Sequence, residues 1–290
     1  MIYNKTLSLS NGQNIPQMGF GTWLIPNDRV DIAVKNALTI GYRHIDTAQS
    51  YGNEEGVGKG LKASGLARGD VYVTTKVRAE YKNEKEAADS IEASLQRLGL
   101  DYVDLLLIHS PQPWKYVNQS DNRFKEGNLA AWAAMEKAYK AGKVKAIGVS
   151  NFEIEDIENL ITHAEIAPMV NQLLVHVSQT PIDLIGYCKQ HQILVEGYSP
   201  MGHGRILANA VLQELAKKYK VSVAQLCIRY VWQLGLVVLP KAENPSHIEE
   251  NGRIDFMISD ADMDKLKAIH QPVDYGEDSR WPVYGGKVQG

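Results

Sequence analysis

Eight times between about residue 18 and residue 252, a short β-branched or leucine-rich run gives way to an amphipathic segment, with no linker between units. The apolar runs are 18–21, one ending at Asp46, then 71–75, 103–108, 144–149, 169–171, 193–198 and 236–239. They are close to continuously apolar, the pattern of strands buried on both faces. Between them apolar residues recur at helical spacing, as in Ala87, Ile91, Leu95 and Leu98, or Ile154, Ile157, Leu160 and Ile161. Eight such units in 290 residues imply an α/β chain folded as one (β/α)8 TIM barrel, a single domain over 1–290.

Four pieces fall outside the repeat. Segments 6–9 and 13–15 flank Asn11-Gly12, a hairpin turn signal, and are expected to close the bottom of the barrel. Two helical patterns, 212–219 and 223–232, lie between the last two strands where one crossover suffices. A short helix over 262–269 follows the repeat. Finally, a tail rich in glycine, proline and aromatics, 271–290, is expected to fold over the barrel mouth.

The 31 basic and 34 acidic residues leave a formal charge of −3, which gives no electrostatic footprint for nucleic acid or an anionic membrane. No apolar run approaches the length needed to span a bilayer, and the start Met1-Ile2-Tyr3-Asn4-Lys5 lacks the pattern of a secretory leader. Two cysteines on helical patterns, Cys188 and Cys227, fit buried thiols in a reducing compartment. A cytoplasmic protein is expected, a monomer by default.

The chemistry gathers where strands end. Three consecutive strands stop at Asp46, Lys76 and His109, and Tyr51 lies in the loop after the first of these. Singly, Asp46 reads as a helix cap, Lys76 as a solvated amine and His109 as a core histidine. Together they read as one proton-transfer site, because barrel strands present their carboxyl ends on one face. A lysine there needs a partner for its charge, and Asp46 supplies it. The ammonium is then expected to favour tyrosinate and lower the Tyr51 pKa, while neutral His109 positions a substrate oxygen. Gly56-Val57-Gly58-Lys59-Gly60 is not G-x-G-x-x-G and lies within a helical stretch, so it reads as close helix packing rather than a phosphate loop. Neither a His-Glu-x-x-His arrangement nor a cysteine cluster is present, so no metal is expected.

Over nearly its whole length the sequence resembles an aldo-keto reductase. The resemblance is carried by 18–23 (Met-Gly-Phe-Gly-Thr-Trp), by 41–52, by Thr75-Lys76 and Ile108-His109, and by 148–152, Asn171-Gln172 and 198–202 (Tyr-Ser-Pro-Met-Gly). It implies hydride transfer from NADPH to a carbonyl carbon, with Tyr51 giving its proton to the oxygen. It further implies that Ser150, Asn151 and Gln172 hydrogen-bond the nicotinamide carboxamide and that Tyr198 stacks on its ring. Thr22 and Trp23 would line the opposite wall, and Gly21, Asp46, Ser199, Pro200, Met201 and Gly202 would also contact the cofactor. Side-chain chemistry agrees, since Ser, Asn and Gln offer an amide both donors and acceptors.

Within 239–251 the family's adenosine-phosphate clamp is altered. Lys241, Glu250 and Asn251 match and Asn244 can still hydrogen-bond, but the usual serine is Ala242 and the usual arginine His247. Neutral histidine offers one donor where arginine offers a charged fork. NADPH with appreciable NADH use follows. For the substrate, Trp23, Tyr51, His109, Ser110, Trp114 and Trp281 are expected pocket residues, with Ser110 widening it where many relatives carry tryptophan. A short loop after Gly202 resembles the bacterial diketogluconate and glyoxal reductase branch, which implies aldehydes, ketones and dicarbonyls. The competing readings are an aldolase-like barrel with Lys76 as Schiff-base nucleophile, and a non-catalytic cofactor-binding regulator.

Overall fold

The computed structural model describes residues 2–270 and 272–288. An antiparallel hairpin comes first, β1 (Thr6–Ser8) with β2 (Asn14–Pro16). Strands and helices then alternate: β3 (Phe20–Gly21), α1 (Val30–Ile40), β4 (His44–Asp46), α2 (Glu54–Ala63), β5 (Tyr72–Val77), α3 (Glu84–Leu98), β6 (Leu105–Ile108) and α4 (Lys125–Lys140). The series continues through β7 (Ile147–Ser150), α5 (Ile154–His163), β8 (Val170–Leu174), α6 (Ile182–Gln190) and β9 (Leu194–Tyr198). After it come α7 (Ala210–Tyr219), α8 (Val223–Gln233), β10 (Val237–Leu239), α9 (Pro245–Asn251) and α10 (Asp260–Lys267).

Strands β3 to β10 pair in parallel in chain order. The ring closes where Met18 bridges Val238 and the Gly21 N–H donates to the Pro240 carbonyl at 3.0 Å. All six residues of β5 are buried, as expected of a strand covered on both sides. Some expected ends are corrected: β7 ends at Ser150 and β8 continues to Leu174, past the expected 149 and 171. β5 runs through Lys76 to Val77, because Lys76 pairs in register with Leu107 of β6, so Lys76 sits inside the sheet rather than beyond it.

The hairpin lies at the amino-terminal ends of the strands. Asn11 Nδ2 donates to the Lys145 carbonyl just before β7, and Gln17 Nε2 donates to the Leu236 carbonyl just before β10. α10 begins two residues ahead of its expected start, since the Ser259 side chain accepts from the Asp262 N–H and caps it there. The tail crosses the opposite, open end. Tyr284 stacks on Tyr275 at 4.3 Å and shares a 2.7 Å hydrogen bond with Ser199, while Asn118 Nδ2 donates to the Pro282 carbonyl at 2.8 Å. Gln271, Gln289 and Gly290 of the expected tail lie outside the described residues.

The glycine run is a packing device. A Cβ on Gly58 would stand 2.3 Å from the Leu98 carbonyl oxygen, and one on Gly56 equally close to that of Asn27. α2 therefore rests directly on its neighbours' backbone. Gly58→Ala is expected to destabilise the fold by about 1–3 kcal/mol through overpacking. Gly186→Ala in α6, where a Cβ meets open space, is expected to stabilise by up to about 1 kcal/mol. Urea denaturation of both variants checks the pair, and equal midpoints would contradict the packing reading.

Candidate active site

β4 ends on Asp46, and a short 3-10 turn, Gln49–Tyr51, brings Tyr51 back over the strand ends. That turn is tied down from both sides. Asn53 Nδ2 donates to the Thr22 and Ile25 carbonyls, and Gln49 Nε2 to the Ser90 carbonyl. Lys76 is wholly enclosed, and its Nζ donates to Asp46 Oδ1 at 2.6 Å, the Thr47 carbonyl at 2.9 Å and Tyr51 Oη at 3.3 Å. His109 follows β6 and meets Tyr51 edge-on, ring centres 5.5 Å apart, with Trp114 on its other side at 5.2 Å. The four residues form one contiguous group.

Electrostatics sharpen their roles. Burial, reinforced by the Lys76 charge, holds His109 well below the usual imidazole range, so its ring is neutral. Burial and then the Asp46 carboxylate push the Tyr51 phenol well above its ordinary value. This corrects the expected tyrosinate: Asp46 answers the Lys76 charge at far closer range than the phenol, so ion-pair formation leaves little net attraction for an ionised Tyr51. The phenol stays protonated.

The group opens into a cavity of about 810 Å³ at the carboxyl ends of the strands. Ser150, Asn151, Gln172 and Tyr198 border it together with Asp46, Tyr51 and His109. Asn151 and Ser199, at the ends of β7 and β9, hold left-handed backbone with φ of 60° and 51°, a strain that clusters at functional strand ends. Tyr198 Oη donates to Asn151 Oδ1 at 2.7 Å, and Asn151 Nδ2 to the His109 carbonyl at 3.1 Å, so one chain of bonds links this wall to the proton-transfer group.

Residues 17–271 match the model of the aldo/keto reductase family. The chain belongs to that family. Glyoxal reductase of Bacillus subtilis (strain 168) is 43% identical over 268 residues, covering 92% of this chain and 93% of its own. Among solved structures, an aldo/keto reductase from Brucella melitensis superposes with a TM-score of 0.85 at 40% identity, covering 91% of this chain and 99% of that one. An aldo-keto reductase of Bombyx mori in complex with NADP superposes at 0.84 with 32% identity, covering 98% and 99%.

Within this aldo-keto reductase the expected site residues divide. Gly21, Trp23, Ser199, Pro200, Met201, Lys241, Trp114 and Trp281 border the cavity with the residues already named. Thr22 does not, being enclosed with its hydroxyl donating to the Asp46 carbonyl at 2.9 Å. Ser110 also turns inward, its Oγ accepting from the Gln112 N–H, and does not border the cavity. Gly202 is buried beneath Ile206. Ala242, Asn244, His247, Glu250 and Asn251 lie off the cavity: Asn244 caps α9 through the Ser246 N–H, His247 is exposed and Asn251 is buried. Lys241 alone of that segment's expected residues faces it, and shares its charge with Glu243 at 3.7 Å.

Sequence reasoning missed others. Leu24, His203 and Leu207 border the cavity, and His203 packs on Trp23 at 5.0 Å. Glu196 and His44 lie buried behind the group. Their signal was a charged residue inside an apolar run, Glu in Leu194-Val195-Glu196-Gly197-Tyr198 and His in the strand ending at Asp46.

Removing one member of the Lys76–Asp46 pair leaves a buried charge unanswered. Asp46→Leu and Lys76→Met are each expected to cost about 3–5 kcal/mol, and the double variant to recover part of that loss. Guanidinium denaturation of the three variants measures it, with strictly additive losses as the contrary result.

Proposed function

We propose that this aldo-keto reductase is an NADPH-dependent carbonyl reductase, converting aldehydes, ketones or dicarbonyls to alcohols, with Tyr51 as general acid. The observation carrying the reading is the contact of the Tyr51 hydroxyl with the Lys76–Asp46 pair at the rim of the cavity. The donor set fits the cofactor: Ser150, Asn151 and Gln172 present amide-complementary groups beside the Tyr198 ring, and Lys241 offers a cation farther along. Bound there, the reduced nicotinamide would supply the hydride.

The chain's own work is proton delivery and orientation. An alkoxide is roughly as basic as hydroxide, whose conjugate acid has a pKa of about 15.7, so even a phenol shifted upward protonates it downhill. Neutral His109 donates to the substrate oxygen and directs it at Tyr51 Oη. Lys76 and Asp46 hold the phenol in place, with Lys76 Nζ within hydrogen-bond reach of Tyr51 Oη as its proton leaves. Trp23, Trp114 and Trp281 give the substrate end apolar walls. The glyoxal reductase likeness favours small dicarbonyls among the substrates.

Lys76 is a poor Schiff-base nucleophile, since its Nζ donates to three oxygens and keeps no free pair. NADPH is preferred but weakly, because Lys241 is partly answered by Glu243, which also lies 3.3 Å from Arg29. We take 1–290 as a single catalytic domain acting on small molecules, monomeric and cytoplasmic, without nucleic-acid or membrane partners. Among the described residues no helix is long and apolar enough to cross a membrane.

Tyr51→Phe is expected to lower methylglyoxal reduction by about 10²–10⁴-fold while NADPH still binds within a few-fold of wild type. Stopped assays at 340 nm, with fluorescence titration of the cofactor, decide this; a variant keeping most of its turnover removes Tyr51 from the role. In the same assay the Michaelis constant for NADH should exceed that for NADPH by a modest factor. A tenfold preference for NADH would overturn the cofactor assignment.

A further inference from the structure

At the centre of the barrel, behind the cavity wall, β9 carries Glu196 wholly enclosed. Its Oε2 accepts from Gln172 Nε2 at 2.8 Å, and the same nitrogen donates to Asp46 Oδ2 at 2.9 Å. An amide nitrogen has two hydrogens, and here both are engaged by carboxyl oxygens. Turning the amide over would set its oxygen against the Asp46 carboxylate, which can only accept, so the orientation is fixed by chemistry. Gln172 Oε1 is the end left over, on a side chain that borders the cavity.

We infer that Glu196 is a positioning residue: by sharing the Gln172 amide nitrogen with Asp46, it presents Gln172 Oε1 to the cavity as an acceptor that selects a ligand carboxamide N–H. The inference rests on the cofactor reading above and adds to it which atom of the nicotinamide is read and what enforces the reading. With an apolar residue at 196, one Gln172 hydrogen would lose its partner in a buried site, and a single bond to Asp46 would hold the amide, leaving Oε1 less firmly aimed at the cavity.

The surroundings of Glu196 agree. Across the barrel, His44 Nε2 lies 3.9 Å from Glu196 Oε1 and bonds Thr74 Oγ1 at 2.9 Å instead. Burial and then the Lys76 charge hold His44 down at about 3, so it is neutral. Burial and then the Asp46 charge push Glu196 up to about 8, so below that pH it is a neutral acid whose carbonyl oxygen can accept. Tyr72 on β5 also faces it, protonated through burial and then Glu196 itself. Around this group Lys76 is then the cation and Asp46 the anion that answers it.

The test compares binding of NADP+ and its 3-acetylpyridine analogue, which replaces the carboxamide N–H2 by a methyl group, through quenching of tryptophan fluorescence at pH 7. Wild type should bind the analogue about tenfold more weakly. Glu196→Met fills the same space with at most a weak acceptor. It should bind NADP+ about tenfold more weakly than wild type and treat the two ligands within about twofold. Glu196→Gln, which keeps an acceptor oxygen, should restore the discrimination. A thermal melt shows that both variants are folded. The inference is overturned if wild type does not discriminate, if Glu196→Met discriminates like wild type, or if Glu196→Gln behaves like Glu196→Met. Failure of wild type to bind NADP+ at all would instead refute the cofactor reading, and this inference with it.

Discussion

A lysine with no solvent exposure, placed within a strand of a closed barrel, is the constraint around which this molecule is arranged. A buried ammonium without a partner is among the costliest features a fold can carry. Here the neighbouring strand answers it, with Asp46 Oδ1 at 2.6 Å and the Thr47 carbonyl at 2.9 Å. Both partners depend on the pairing of β4 with β5, where Asp46 stands opposite Thr74. A register slip of one residue would turn the side chains to the other face and strand the charge. Fold and site are thus specified by the same interaction.

That interaction also determines the proton chemistry. An ion pair at close range presents little net charge to a third group, so Tyr51 gains a hydrogen-bonding neighbour and a fixed position without being ionised. Its burial then keeps the proton on the phenol. His109, Glu196 and His44 are each held neutral by enclosure, which leaves the interior electrically balanced around Asp46 and Lys76. The proton-transfer group is buried and preorganised, conditions under which a small number of polar groups act strongly on a developing oxyanion.

Much of this was legible in the residue order. Continuous apolar runs separated by helical spacing gave eight strands, because strands covered on both faces have no polar side to interrupt them. Asp46, Lys76 and His109 stood out as ionisable groups at the ends of such runs, with Tyr51 in the loop after the first. Other features were hidden by side-chain direction. Successive residues at a strand end point to opposite faces, so Thr22 and Ser110, adjacent to cavity residues Trp23 and His109, turn into the protein. In 242–251, Asn244 caps α9 and Asn251 is buried, so neither borders the cavity. Glu196 escaped notice because its meaning depends on Gln172, its register partner on β8, and on Asp46 from β4 across the barrel. The Tyr51 pKa went astray for a similar reason: spacing shows that a cation is near, not how tightly another group already holds it.

The claim that the Lys76 charge is spent on Asp46, leaving Tyr51 a protonated acid, is tested most directly by tyrosinate absorbance. An ultraviolet difference titration of wild type against Tyr51→Phe, followed at 295 nm, isolates this one phenol. The account predicts no Tyr51-dependent tyrosinate signal below about pH 10, the ordinary tyrosine value. A signal titrating near neutrality would show the cation acting on the phenol after all, and would contradict it.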